Sequence, residues 1–293
     1  MYRTQIVRRF VQIASFFTAN NYFHKGIYQG PLKKFCFPGL NCYACPLARF
    51  ACPIGSFQHF IAIRQFPFYI LGFIGFIGVL SGRFICGFLC PFGFFQELLY
   101  KLRTFKIKLP RRASYFKYVV LVLTVVLAYF FNQPYFCKIC PAGTLEAGIP
   151  QLTTSAPLRN IAGSLFSLKY AILILVLTFA ILIKRPFCRL LCPLGAMLGL
   201  LNRITQLQLK VDTEKCNECG ICQTVCPMDI SQVTSSLSQV SCRKPQATGF
   251  LAINSFDCIK CLKCSSACPQ NAISGFMNTN YTNLTNLTNE KIN

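Results

Sequence analysis

The chain is short of charge, short of acid and almost without histidine, and each shortage removes a class of protein. Charged residues make up 13% of the 293 and hydrophobic ones 53%, whereas soluble domains carry about 25% charge. That balance belongs to an integral membrane protein. Asp and Glu number 8 against 30 Lys and Arg. Such a surplus can mark nucleic-acid binding, but here the basic residues flank apolar runs and no nucleic-acid motif interleaves them with aromatics, so no nucleic acid is expected as partner. The positive-inside rule accounts for them better. His24 and His59 are too few and too badly placed for paired haem ligation, and no C-x2-C-H occurs. No A-x-A site follows the first apolar run, which reads as a signal anchor, and Arg8-Arg9-Phe10 resembles the twin-arginine pattern only loosely.

What the chain has in abundance is cysteine, 19 in all. Most fall in tight C-x2-C and C-x3-C groups, which are ligand spacings and not those of a disulfide scaffold.

Four apolar segments are expected to form helices, at about 7–23, 60–82, 115–131 and 161–183. Gln12, Ser15, Asn20 and Asn21 weaken the first, and Lys169 in the fourth can snorkel. The uninterrupted cores 118–131 and 170–183 hold 14 residues each, roughly 21 Å of helix against roughly 30 Å of hydrocarbon, so the helix ends should dip into the bilayer. Arg83, Lys101, Arg103, Lys106, Lys108, Arg111, Arg112 and Lys117 follow the second segment, whereas only Lys138 and Arg159 follow the third before Lys169. The former loop is therefore cytoplasmic. If all four segments span, the N-terminus and the region after the fourth, with Lys184, Arg185 and Arg189, share that side. The loop with Lys25, Lys33, Lys34 and Arg49 fits this topology least well.

The strongest signal lies in the last third. KCNECGICQTVCP (215–227) and DCIKCLKCSSACP (257–269) each read C-x2-C-x2-C-x3-C-P, the spacing that holds 4Fe-4S clusters. Short spacers wrap three thiolates round a cubane, and the proline ends the turn so that the fourth cysteine serves the other cluster. Cys216, Cys219, Cys222 and Cys268 are expected to hold one cluster, and Cys258, Cys261, Cys264 and Cys226 the other. The competing zinc reading is disfavoured, since zinc closes with two C-x2-C pairs and not eight cysteines in this order.

The membrane part repeats itself. RFICGFLCPFG (83–93) matches RPFCRLLCPLG (185–195) as R-x2-C-x3-C-P-x-G, each just after an apolar segment. NCYACPLARFACPIG (41–55) and FCKICPAGTLEAGIP (136–150) both begin C-x2-C-P. Cys86, Cys90, Cys188 and Cys192 would thus converge at an inner metal centre. Cys42, Cys45, Cys137 and Cys140 would meet at the outer rim, where a cluster, a disulfide per C-x2-C or a dithiol carrier all remain open, and Cys52 is able to replace one of the four. Isolated cysteines such as Cys36 and Cys242 read as small hydrophobes. Gly72, Gly75 and Gly78 read as a packing face. Glu97 and Glu146 are acids at the membrane boundary, open to proton or quinone roles but more often simply paired. The N-x-T sequons at Asn280, Asn283 and Asn286 read as a low-complexity end.

The expected architecture is an α-helical membrane domain over 1–205, with about four transmembrane helices in an internal two-fold repeat. A small α+β two-cluster bacterial ferredoxin domain over 206–277 and a disordered polar tail over 278–293 follow. These motifs resemble the NapH/MauN-type membrane polyferredoxins, related to the ferredoxin-like part of NosR and to CcoG-type proteins, over about residues 36–273. The resemblance implies an electron-transfer subunit of the cytoplasmic membrane, not a stand-alone enzyme, that passes electrons between a cytoplasmic or quinol donor and an extracytoplasmic acceptor. Redox proteins or quinone would be its partners. Its cofactors would be two 4Fe-4S clusters, with one or two further iron-sulfur centres in the membrane domain. The rival readings are a metal-ion or thiol reductase or assembly factor acting at the outer face, and a structural anchor for a soluble oxidoreductase.

Overall fold

Many large apolar side chains on these helices are exposed, while several polar and charged ones are buried beside an apolar core. In the computed structural model, which describes residues 2–20, 28, 30–42, 48–107, 109–154, 163–212, 215–217, 219–230, 250–252 and 255–277, helix α1 (Tyr2–Ala19) shows the pattern most clearly. Phe10, Ile13 and Phe17 are exposed while Arg8, Gln12 and Ser15 are buried. The polar residues that weaken this segment as an apolar run are its packing face. Gln5 donates to the Cys261 carbonyl at 3.1 Å, Gln12 to the Gly87 carbonyl at 2.9 Å and Ser15 to the Leu89 carbonyl at 2.5 Å. At its far end the Ala19 carbonyl accepts from the Arg49 N–H.

The second apolar segment, expected at about 60–82, begins in the last turn of α2 (Pro53–Ala62) and continues, after a break, in α3 (Phe68–Leu80). Arg64 takes a left-handed conformation at φ 57° and Pro67 precedes α3, so one continuous helix is impossible there. The chain then forms α4 (Phe84–Phe88) and α5 (Pro91–Leu99), and α6 (Phe116–Phe131) returns to the opposite end. There lie α7 (Tyr135–Ile139), α8 (Pro141–Gly143), a π-turn over Thr144–Gly148 and α9 (Ile149–Thr154). Helix α10 (Ser164–Leu182) runs back to α11 (Pro186–Leu190) and α12 (Pro193–Leu201).

Two of the four expected segments, Arg112–Phe131 and Ser164–Leu182, form helices long and apolar enough to cross a membrane. Only 28% and 17% of their most apolar stretches are buried, whereas a soluble core helix is mostly buried. Helix α3, at 13 residues, reaches about 20 Å. The glycine expectation needs correcting. A Cβ at Gly78 would stand 2.3 Å from Leu201, but Gly72 and Gly75 have nothing within 4 Å. Steps of three residues drift about 60° round a helix, so the three glycines share no single face.

The last third is a small antiparallel sheet with cysteine turns. Strand β1 (Leu207–Asp212) lies between β2 (Phe250–Ala252) and β3 (Ile273–Met277), with Leu209 opposite Gly275 and Lys210 opposite Ser274 and Ala252. Short helices α13 (Ile221–Thr224) and α14 (Lys263–Ala267) pack together. This unit is seated on α3–α5 and α12. Asn202 donates to the Ser255 and Cys258 carbonyls at 2.6 and 3.1 Å, and Lys260 to the Ser81 carbonyl at 3.2 Å.

Candidate metal centres

The helical part before the sheet reuses one local device. Cys52, Cys90, Cys140 and Cys192 each N-cap a helix whose first residue is proline and whose third is glycine. Proline suits N1 because its missing N–H would have had no intrahelical partner. At Cys192 the thiol takes a free N–H of the first turn, with the Gly195 N–H reaching its Sγ at 3.2 Å. Cys52, Cys90 and Cys140 stand at the same cap position without that side-chain bond.

At one end the two R-x2-C-x3-C-P-x-G motifs interlock. A Cβ on Gly195 would stand 3.1 Å from the Arg83 guanidinium, and one on Gly93 would stand 3.1 Å from that of Arg185. Each motif's arginine thus crosses into the space left by the other motif's glycine. Arg83 donates to the Cys188 carbonyl at 3.4 Å and Arg185 to the Cys86 carbonyl at 3.1 Å. Among Cys86, Cys90, Cys188 and Cys192, every pair lies within electrostatic reach. The structure brings this expected quartet together.

Gln96 is a site residue that the sequence reading missed. Its Nε2 lies 3.3 Å from Cys188 Sγ, and its Oε1 accepts from the Phe187 N–H at 3.1 Å. At the other end Gln58 does the same, 3.6 Å from Cys137 Sγ and 3.1 Å from the Phe136 N–H. The overlooked signal was a polar residue six places after the capping cysteine, in CPIGSFQ, CPFGFFQ and CPAGTLE.

Cys42, Cys137 and Cys140 of the expected outer set are gathered with Cys52, and Cys45 lies outside the described residues. Buried Cys36 neighbours Cys52. Cys242 and the three sequons also lie outside the described residues. Glu146 is buried between the two ends, within reach of Cys42 and Cys90.

In the ferredoxin part, Cys226, Cys258, Cys261 and Cys264 are mutually close in every pairing. Cys222 neighbours Cys216 and the exposed Cys219, while Cys268 caps the end of α14, which packs on the Cys222 helix. The Cys258–Cys261 loop sits on the inner motif so closely that a Cβ on Gly87 would stand 2.4 Å from the Ile259 carbonyl. Arg185 lies within reach of Cys90, Cys188 and Cys261 together.

Two carboxylates tie this junction. Asp257 takes Arg83 at 2.9 Å, Lys117 and the Ser114 hydroxyl. Glu97 takes Arg185 at 2.6 Å, Lys263 at 2.8 Å and Arg8. Burial opposes ionisation of both, but the surrounding cations outweigh it and hold both carboxyls below the usual range. Glu97 thus ties Arg8, Arg185 and Lys263 together at the junction.

The donor chemistry fits iron-sulfur clusters: sets of four thiols, the one with Cys188 and Cys192 flanked by Arg83 and Arg185 and met by the Gly195 N–H and the Gln96 amide. Among the described residues, no three His, Cys, Asp or Glu side chains are grouped to hold a single ion. A largely helical cysteine-rich domain docked to a ferredoxin-like one defines the class, an iron-sulfur electron-transfer protein.

The comparisons agree. The family described as "4Fe-4S binding domain" matches residues 49–70, 65–110, 116–150 and 168–211, and "4Fe-4S dicluster domain" matches 215–273. An uncharacterized protein of Methanocaldococcus jannaschii is 34% identical over 67% of this chain and 73% of its own. The ferredoxin-type protein NapH of Haemophilus influenzae is 25% identical over 67% of this chain and 62% of its own. The methylamine utilization ferredoxin-type protein MauN of Paracoccus denitrificans is 26% identical over 51% and 50%. This chain therefore spans only half to two thirds of the named relatives. No solved structure matches it. The chain belongs to the NapH/MauN-type family of ferredoxin-type electron-transfer proteins.

Proposed function

We propose that the chain is a multi-pass cytoplasmic-membrane protein that carries electrons from a donor at its ferredoxin face toward an acceptor at the opposite face. Cys216, Cys219, Cys222 and Cys268 would hold one 4Fe-4S cluster and Cys226, Cys258, Cys261 and Cys264 a second. Cys86, Cys90, Cys188 and Cys192 would hold a further iron-sulfur centre. When bound, such clusters supply one-electron chemistry, and the protein supplies position, charge and burial. The observation that carries the reading is the seat of Ile259 on Gly87, which sets the Cys258 group beside the inner quartet with Arg185 between them. Arg83 and Arg185 put two buried positive charges beside the inner thiols, which favours the reduced state of any centre held there. Exposed Cys219 leaves the first ferredoxin group open to a soluble partner.

Four helices support a four-span topology, because α1, α3, α6 and α10 alternate in direction between the ferredoxin end and the Cys137 end. Arg103, Lys106 and Arg112 lie at the ferredoxin end, where Ile107 bonds the Leu182 carbonyl, so that end is cytoplasmic by the positive-inside rule. Proteoliposomes with ferricyanide sealed inside and dithionite added outside test the function. Holo-protein with its ferredoxin face outward is expected to bleach the trapped dye. Full iron content without bleaching would leave the anchor reading in its place.

A further inference from the structure

The opposite end of the membrane part copies the plan of the inner quartet closely enough to assign its ligands. Cys52 and Cys140 cap their helices there as Cys90 and Cys192 do at the inner end. Gln58 stands to Cys137 and Phe136 as Gln96 stands to Cys188 and Phe187. The inner plan needs a fourth thiol four residues before the first cap, where Cys86 precedes Cys90. The outer sequence has Ala48 at that place. Cys42 fills the gap from elsewhere, with its Sγ 3.6 Å from the point where a Gly143 Cβ would be. The Asn41 side chain fixes the turn that carries it, accepting from the Cys42 N–H at 2.8 Å and donating to the Phe50 carbonyl at 3.0 Å. As at the inner site, every pair among Cys42, Cys52, Cys137 and Cys140 lies within electrostatic reach. Cys36 is close to Cys52 alone of these four.

We propose that Cys42, Cys52, Cys137 and Cys140 form a second four-thiolate centre that takes an iron-sulfur cluster, with Gln58 positioning its Cys137 ligand. It rests on the electron-transfer reading above and adds the site at which electrons would meet an outer acceptor. It takes Cys52, which lies within reach of Cys42, Cys137 and Cys140, as the fourth ligand in place of the Cys45 that the C-x2-C spacing suggests and that lies outside the described residues. A set of four thiols in mutual reach, one of them met by the Gln58 amide, is more than a C-x2-C disulfide requires.

Full-length protein purified anaerobically provides the test, by iron content, EPR and alkylation with iodoacetamide. Cys52→Ser and Cys42→Ser are each expected to remove about four irons, one cluster's worth, together with the same signal. Cys45→Ser should keep both. Gln58→Leu should shift the potential of that signal and leave the inner one in place, while Gln96→Leu should do the reverse. Ferredoxin signals in the same samples report folding, and should Cys52→Ser misfold, Cys42→Ser and the protection of wild-type Cys52 from alkylation decide. Iron loss in Cys45→Ser with none in Cys52→Ser would overturn the ligand set. Outer thiols that label only after reduction would show disulfides instead. Neither outcome touches the inner centre, whose signal is read independently through Cys86.

Discussion

Replacing Glu97 with glutamine would take one carboxylate from beneath three cations, and its cost follows from their burial. Side chains of Arg8 and Arg185 are 0% and 1% exposed, against 26% for Lys263. Lys263 therefore contributes little, since a half-solvated pair is worth about 0–1 kcal/mol. The two buried guanidinium groups are different, because removing one partner of a buried pair costs about 3–5 kcal/mol. Contributions within one network do not add, so the expected loss stays near about 3–5 kcal/mol, or roughly two to three and a half orders of magnitude in the folded ratio. At about 2–4 °C per kcal/mol for a domain of this size, the midpoint falls by roughly 6–20 °C. Thermal loss of cluster absorbance in detergent measures it. Glu97 joins α1, α5, α11 and α14, so limited proteolysis should also release the N-terminal helix earlier. Glu97 ionises more readily folded than unfolded, so its contribution is complete above the unfolded value near 4.3 and fades as pH falls through the lower folded one. A midpoint within about 2 °C of wild type at pH 7 would refute the reasoning.

Gln96→Leu leaves the buried Phe187 N–H without its acceptor, at about 1–3 kcal/mol, and should alter the EPR line shape of the inner centre while ferredoxin lines stay unchanged; identical inner spectra would count against it. Gly87→Ala should push the Ile259 carbonyl away and loosen the ferredoxin domain, seen as faster hydrogen exchange over 255–262 in holo-protein, and unchanged exchange would mean the seat is not tight. Asp257→Asn, which strips Arg83 and Lys117 of their shared carboxylate, should cost about 3–5 kcal/mol by the same buried-pair logic, checked by the same thermal assay.

Much of the site was legible because its parts are local. C-x2-C-x2-C-x3-C-P and C-P-x-G are spacings within one turn, and Arg83 and Arg185 stand in the quoted motifs. What stayed hidden was long-range. Gln58 meets Cys137 across 79 positions and Gln96 meets Cys188 across 92, and no local period announces either. The approach of Cys52 to Cys137, 85 positions away, likewise depends on how the chain folds back. Polar residues in α1 looked like flaws in a span because sequence shows their presence and not the carbonyls at the end of α4, Gly87, Leu89 and Cys90, that they satisfy. The break at Arg64 and Pro67 was visible in the proline, but the apolar residues on either side masked it.

The inner quartet carries the central claim, and paired single substitutions test it most directly. Cys86→Ser and Cys188→Ser, which are 102 positions apart, should each abolish the same EPR signal in anaerobically purified protein and leave the ferredoxin signals intact. In the wild type, bound thiolates have their nucleophilic lone pairs engaged, so Cys86, Cys90, Cys188 and Cys192 should resist alkylation until iron is removed. Unchanged iron content and spectra in both variants would contradict the claim and leave the four cysteines as packing residues at two helix ends.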